Sequence, residues 1–405
     1  MHAVRHAYRT ACNRCLVQVS ITTRAPVCGR RDTDKSFNCR NIFDLREELI
    51  MLHDIKRVAV VGGAGYLGST LCLHLLDLGY EVASIDAHWF GDEALSSLRS
   101  HPSFTSQQID ALHADEVPPL LRGCQAVVWV AGLVGDPACD LDPGFTYGCN
   151  YRSALTLAEI CKWLGIERFI FASSCSVYGQ SNEVARLTEE SLTNPLSFYA
   201  RDKLVCEKAL RAMSDGMFHP TILRLSTLFG WSDRMRFDLV VNVLTAKACK
   251  GETLEICGGG QRRPFLHVKD AARAFASVLS SDLALVSNEI FNVGGVENNH
   301  RILDIANFVC SEISDANVEY LSDVVDRRDY DVDFSKITDA LSFKTAFSVP
   351  DGIAEIRGRM PQSNGINITD SVYINEKTTR RLISEIRRNG YHHAPMVPGL
   401  VGSAA

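Results

Sequence analysis

The sequence contains no apolar run of the roughly 18–20 residues that a membrane-spanning helix needs. The nearest, AVVWVAGLVG at 126–135, is far shorter and reads as a buried strand. Excess positive charge is missing too: 42 Lys and Arg against 48 Asp and Glu leave a net charge of −6. No overall basic field is present to attract nucleic acid or an anionic membrane, so any binding of phosphate has to be local. A second close Cys-x-x-Cys is absent as well. Cys12 and Cys15 are followed by Cys28 and Cys39, too widely spaced to complete a zinc site, and no metal is expected. Finally, Asp and Glu are absent from residues 1–31, which carry six arginines (Arg5, Arg9, Arg14, Arg24, Arg30 and Arg31) and little periodicity. That profile fits an organellar targeting segment and equally a translated upstream extension, because Met51 sits just before a natural first strand. Residues 1–55 are therefore set apart from the fold.

What is present suits an enzyme. A hydrophobic fraction of 46% over 405 residues permits a proper core in one large domain or two smaller ones. The fourteen cysteines lie mostly singly inside apolar segments, as at Cys72, Cys161, Cys249 and Cys310. They read as buried free thiols in a reducing, cytoplasmic setting. From about 58 to 225 strand-like and helix-like stretches alternate: VAVVG, GSTLCLHLLDLG, EVASID, QAVVWVAG, a long helix through 143–164, RFIFASS, YARDKLVCEKALRAM and TILRLS. This alternation predicts an α/β fold with a doubly wound parallel sheet over residues 56–228. Beyond Leu228 the regularity weakens. Helices around 237–250, 268–280 and 301–313 mix with short strands such as LEIC and IFNVGG, which reads as a smaller α/β substrate-binding lobe over 229–358. The tail, 359–405, holds one charged helix and a loose end, and no function is assigned to it.

Three glycines, Gly62, Gly65 and Gly68, stand at the junction of the first strand and helix in VAVVGGAGYLGST. A turn stripped of side chains lets a pyrophosphate reach the helix N–H groups, where the dipole also favours negative charge. Asp86 ends the next strand, where a carboxylate accepts hydrogen bonds from an adenosine ribose and repels a 2′-phosphate, so the expected cofactor is NAD rather than NADP. Asp110, at the end of the third strand, is either an adenine contact or a simple loop acid. The turn residues Tyr66 and Leu67, and Ala131 at the end of the AVVWVAG strand, are assigned to the same cofactor surface. Downstream, Tyr199 and Lys203 in YARDK lie one helical turn apart on one face. A phenol with an ordinary pKa of ~10 becomes a usable base when an ammonium stands beside it.

These motifs together resemble the extended short-chain dehydrogenase/reductase family, in its nucleotide-sugar epimerase and dehydratase branch. The resemblance runs from about 57 to 345 and rests on VVGGAGYLGS, Asp86, RFIFASSCSVYG, NPLSFYARDKLVCE, LRLSTLFG, RRPFLHVKDAARA and IFNVGG. It implies a Rossmann-type NAD-binding domain, a catalytic set of Ser174, Tyr199 and Lys203, and a nucleotide-diphosphate sugar as substrate. It further implies that Asn150 braces the catalytic region and that Arg263 meets the diphosphate through its bidentate guanidinium. Arg328 is a second diphosphate candidate or a structural ion-pair partner. Asn242 faces the same diphosphate or merely occupies a helix face. The resemblance also implies a homodimer through helices of the 143–164 and 197–213 segments.

Departures from the family pattern narrow the chemistry. The 4,6-dehydratases carry an Asp and a Glu directly after the catalytic hydroxyl; here Cys175 and Ser176 follow Ser174, so elimination of water has no evident acid–base pair. In other branches a Cys two residues past the serine abstracts a proton. Here Ser176 holds that position, and Cys175, one position off, is expected to point elsewhere. Thr227 stands where many relatives have an Asn. The expected reaction is epimerisation at C4 through a transient 4-keto sugar. A keto-sugar-nucleotide reductase is the alternative within the fold, and a non-catalytic dinucleotide sensor or scaffold the alternative outside enzymology.

Overall fold

The computed structural model describes residues 55–110, 112–113, 116–180, 186–321, 328–362 and 366–388. The expectations for residues 1–54, including the Cys12 and Cys15 pair, and for the loose end from 389 onward lie outside these residues. In chain order the strands are β1 (Arg57–Val61), β2 (Glu81–Asp86), β3 (Phe104–Gln108), β4 (Ala126–Trp129), β5 (Arg168–Ser174) and β6 (His219–Leu225). They continue with β7 (Thr227–Phe229), β8 (Leu254–Cys257), β9 (Arg262–His267), β10 (Ile290–Val293), β11 (Asn299–Arg301) and β12 (Val318–Leu321). The main helices are α1 (Tyr66–Asp77), α2 (Ser153–Leu164), α3 (Phe198–Ala212), α4 (Val240–Cys249), α5 (Val268–Ser280) and α6 (Asn375–Arg388).

A seven-stranded sheet in the order β10-β6-β5-β4-β1-β2-β3, parallel throughout, forms the centre. Strands covered on both faces lose the alternating pattern and become continuous apolar runs, which is why AVVW of β4 is wholly buried. The chain winds outward from β1 to β3, then returns to lay β4 on the other side of β1. That reversal opens a crevice beyond the carboxyl ends of the two strands, the place where open α/β sheets bind ligands. The expected α/β doubly wound architecture is therefore present.

The boundary at residue 228 is less clean than the composition suggested. β10 lies well beyond it in sequence yet pairs with β6, and α5 packs on α1. Short apolar segments such as IFNV are placed by whichever sheet edge is free, and periodicity carries no information on that choice. The second lobe proper holds the β11-β9-β7 and β12-β8 sheets around a separate core that includes Phe229, Val241, Leu244, Ile305, Val309 and Ile353. Cys72 and Cys161 are buried free thiols, whereas Cys249 and Cys310 are half-buried. No helix among the described residues is long and apolar enough to cross a membrane. On the two helices of the expected dimer face, Trp163 is 80% exposed and Val205 is 43% exposed.

A buried polar network fastens α3 to the sheet. Glu207, on α3, receives Arg224 of β6 through Nε (3.1 and 3.2 Å) and Nη2 (2.7 Å), and Ser173 Oγ donates to it at 2.5 Å. Arg224 Nη1 donates to the Tyr178 hydroxyl (2.9 Å), which donates to Asn292 Oδ1 of β10 (2.7 Å). Every member relies on another because none reaches water readily. Arg224→Met, which strands Glu207 as an unpaired buried carboxylate, is expected to destabilise the fold by about 3–5 kcal/mol in a denaturant titration. A loss below about 1 kcal/mol, the level of an exposed pair, would contradict this role.

Candidate active site

Beyond the carboxyl ends of β1, β4 and β5 lies a cleft of about 540 Å³, bordered by a recess of about 110 Å³ that shares Gly62, Gly65, Phe90, Val130 and Gly132 with it. The glycines are there for space. Gly62 adopts φ +91°, and a Cβ on it would lie 2.6 Å from the Ala131 nitrogen. A Cβ on Gly68 would strike the Gly62 carbonyl, and one on Gly63, a glycine the sequence pattern did not single out, would overlap Ser84 Oγ. Gly65 begins α1 with no side-chain cap, and no acid occupies the first turn. The helix N–H groups are thus left for a ligand, at the positive end of the dipole.

Asp86 borders the recess, with Oδ2 accepting from Ala64 N (3.0 Å) and Oδ1 from His88 N (2.8 Å). Each carboxylate oxygen keeps a further lone pair for a ribose hydroxyl. Burial raises the Asp86 pKa, and the two backbone donors oppose that rise. Asp110 and Ala131 border the same recess, and Asp110 Oδ1 also accepts from Leu112 N (2.9 Å). A bare turn, a free helix start and a strand-end carboxylate on one groove fit the pyrophosphate and ribose of a dinucleotide.

Ser174 closes β5 while Tyr199 and Lys203 come from the first turns of α3, whose N-cap, Ser197, accepts from Ala200 N (3.3 Å). All three border the cleft. Lys203 Nζ donates to the Ala172 carbonyl (2.7 Å) and stands 4.6 Å from the Phe171 ring centroid and 5.8 Å from that of Tyr199. Burial holds the Tyr199 pKa well above its ordinary value and Cys139 adds to this; the hydrogen bond with Ser174 and the charge of Arg236 act in the opposite direction. Burial likewise lowers the pKa of Lys203. Asn150 sits in a π-turn, Gly148–Arg152, that aims its amide at the loop after β4: Oδ1 accepts from Leu133 N (2.7 Å) and Nδ2 donates to Leu133 O (2.9 Å).

The structure separates the remaining assignments. Arg263 and Arg328 both border the cleft. Arg263 Nη1 donates to the Arg328 carbonyl, and Arg328 pairs with Asp136 at 3.0 Å, so it borders the cleft and makes an ion pair at once. Asn242 does not reach the cleft and is corrected: its Oδ1 accepts from Gly230 N (3.0 Å) and its Nδ2 donates to Tyr66 Oη (3.2 Å) and Arg236 O (3.0 Å). Its amide is wholly spent inside the protein. The Tyr66 side chain is likewise a strut, donating to Gly230 O (2.6 Å), although Tyr66 and Leu67 still border the cleft. Cys175 is buried, with Sγ on the Arg224 carbonyl (3.3 Å), whereas Ser176 borders the cleft with its Oγ unpartnered. Thr227 borders it too. The motifs did not reveal Arg234, Arg236 and Asp238, cleft residues in the irregular segment WSDRMRFDL, where mixed charge without periodicity gives no signal of a cleft position.

The model of the NAD dependent epimerase/dehydratase family matches residues 58–294. The chain is 29% identical over 311 residues to a Bacillus subtilis protein described as the uncharacterized UDP-glucose epimerase YtcB, covering 73% of this chain and 95% of that one. It is 27% identical over 291 residues to UDP-glucuronic acid decarboxylase 1 of Danio rerio, covering 67% of this chain and 65% of that one. The crystal structure of UDP-glucuronic acid 4-epimerase from Bacillus cereus, in complex with UDP-glucuronic acid and NAD, is similar with a TM-score of 0.68 and 27% identity, covering 76% of this chain and 99% of that one.

The Asp86 geometry generates a test. Asp86→Asn keeps the shape and removes the charge that opposes a 2′-phosphate, and is expected to narrow the preference for NAD over NADP by about tenfold in calorimetric titrations. An unchanged preference would show that this carboxylate does not set cofactor choice.

Proposed function

The chain belongs to the NAD dependent epimerase/dehydratase family, and on that footing we propose that it epimerises a nucleotide-diphosphate sugar at C4 through a transient 4-keto sugar. The observation that carries this reading is the meeting of Ser174, Tyr199 and Lys203 in the cleft that also borders the uncapped start of α1. The relatives above include a decarboxylase, and the family's name spans dehydratases, so the surroundings of the trio have to discriminate.

Tyr199 takes the proton of the sugar 4-hydroxyl. Its buried phenol resists ionisation; the hydrogen bond with Ser174 and the charge of Arg236 favour the phenolate form that proton abstraction requires, and the Lys203 ammonium stands 5.8 Å from the ring centroid. Ser174, hydrogen-bonded to the phenol, steadies the sugar oxygen while its proton moves. NAD, when bound, supplies a reversible hydride acceptor, and the protein's part is orientation and proton handling. Arg263 holds the diphosphate, with Arg328 as a second donor whose charge is shared with Asp136, leaving the sugar free to turn and present its other face. The absence of a carboxylic acid at positions 175 and 176 supports epimerisation over elimination of water, since Cys175 is committed to the Arg224 carbonyl and a Ser176 hydroxyl is a poor proton donor. The keto-sugar reductase reading differs in requiring an exchangeable cofactor.

Incubating the purified protein with UDP-, dTDP-, GDP- and CDP-sugars and following sugar configuration by proton NMR tests the proposal. One nucleotide sugar is expected to convert to a mixture of C4 epimers without added cofactor being consumed, and Tyr199→Phe is expected to slow that conversion by about 10²–10⁴-fold. Conversion that consumes reduced cofactor stoichiometrically would favour the reductase, and unimpaired turnover by Tyr199→Phe would remove the phenol from the chemistry.

A further inference from the structure

The loop between β7 and α4 carries Arg234, in a segment that no motif identified. Its side chain is only 5% exposed yet borders the cleft, and its guanidinium lies 4.1 Å from the centroid of the Phe90 ring. Phe90 is one of the residues shared by the cleft and the recess, so the cation stands at the neck between them. Nη2 donates to Asn375 Oδ1 (2.8 Å), and Nε has no partner. The nearest carboxylates are bonded to other groups. Asp238 is held by Arg236 through both oxygens (2.9 and 3.1 Å), and the Asp86 oxygens take backbone N–H groups. A guanidinium buried without an ion-pair partner is costly, and the charges of Asp238 and Asp86 offset only part of that cost. Burial and the like charge of Arg236 accordingly lower its pKa to about 9.

What relieves such a cation is an anion arriving at the neck. The other border of the cleft at this point is the turn from Gly62 to Gly65 and the uncapped start of α1, which on the dinucleotide reading receives the pyrophosphate. A pyrophosphate there carries the charge and the acceptor oxygens that a planar, multiply donating guanidinium matches. We propose that Arg234 reaches over from the second lobe to hold the dinucleotide pyrophosphate against the glycine turn, and that Asn375 of α6 fixes its orientation. Asn375 is suited to this because it is tied on three sides: to Arg234, to the Val134 carbonyl through Nδ2 (3.1 Å), and to Asp238 through its backbone N–H (3.1 Å). It lies beyond the residues matched by the family model, in the tail to which the sequence pattern assigned no role.

The inference rests on dinucleotide binding at the turn, and the test separates the two. Full-length wild type, Arg234→Met, Arg234→Lys and Asn375→Ala are titrated by calorimetry with NAD, NADP and adenosine, and their melting temperatures recorded. Arg234→Met is expected to bind NAD about 30-fold more weakly, the size of a lost charge-assisted hydrogen bond. Adenosine, which lacks the pyrophosphate, is expected to bind it as it binds wild type. Arg234→Lys is expected to recover most of the NAD affinity, and Asn375→Ala to weaken NAD without weakening adenosine. Unchanged NAD affinity in Arg234→Met overturns the assignment, as does a parallel loss of NAD and adenosine, which indicates structural damage. A loss confined to NADP overturns it in favour of a 2′-phosphate contact. Failure of the wild type itself to bind NAD defeats the reading of the turn, whereas wild-type binding with an unaffected Arg234→Met defeats the arginine alone.

Discussion

The bond from the Lys203 ammonium to the Ala172 carbonyl is the constraint around which the cleft is organised. It fixes α3 to the end of β5 at the point where Ser174 emerges, and so brings to one place groups that are remote in sequence. One turn further along the same helix face, Glu207 makes the second attachment, through Arg224, to β6. A helix held at both points keeps its first turn, and with it Tyr199, at a fixed height above the sheet. Burial lowers the pKa of Lys203, and the neighbouring Cys206, Cys139, Asp202 and Glu207 act in the opposite direction, beside a phenol whose ionisation burial also opposes.

The same opposition between burial and charge governs the rest of the cleft. The protein is acidic overall, yet Arg234, Arg236, Arg263 and Arg328 all border this groove. They are not equivalent. Arg236 is neutralised by Asp238 and Arg328 by Asp136, whereas Arg234 has an amide in place of an acid. An arginine given a neutral partner keeps its charge available to a ligand, which a carboxylate partner would largely cancel. Local charge arrangement, and not net charge, therefore suits the site to a molecule carrying phosphates.

Some of this was evident before any coordinates. The glycine turn and the Tyr199–Lys203 pair are local signals, because the spacing of a few neighbouring residues already fixes which backbone is bare and which side chains share a face. The helix over 268–280 and the strands LEIC and IFNV follow from periodicity in the same way. What went astray depended on long-range contacts. Asn242 lies on a helix whose direction relative to Gly230 and Tyr66 decides whether its amide meets a ligand or the backbone, and no pattern within α4 encodes that. Arg234 sits in an aperiodic loop, so its approach to Phe90 arises only from the packing of the two lobes and of α6. The tail helix has the expected charged face, but it docks through Asn375, through Ile383 packed with Leu133, Cys139 and Phe145, and through an Arg387–Asp142 ion pair, none of which stands out in sequence.

The proposed function reduces to a single chemical statement: the sugar carbon is oxidised and reduced in place, with Tyr199 handling the proton. A nucleotide sugar labelled with deuterium at C4 tests it most directly, with the product analysed by NMR and mass spectrometry. The account predicts that the epimerised sugar keeps its deuterium on C4, since the hydrogen leaves and returns within one closed site. Replacement of that deuterium by hydrogen from water would contradict it and point to inversion by solvent-exchanging proton transfer.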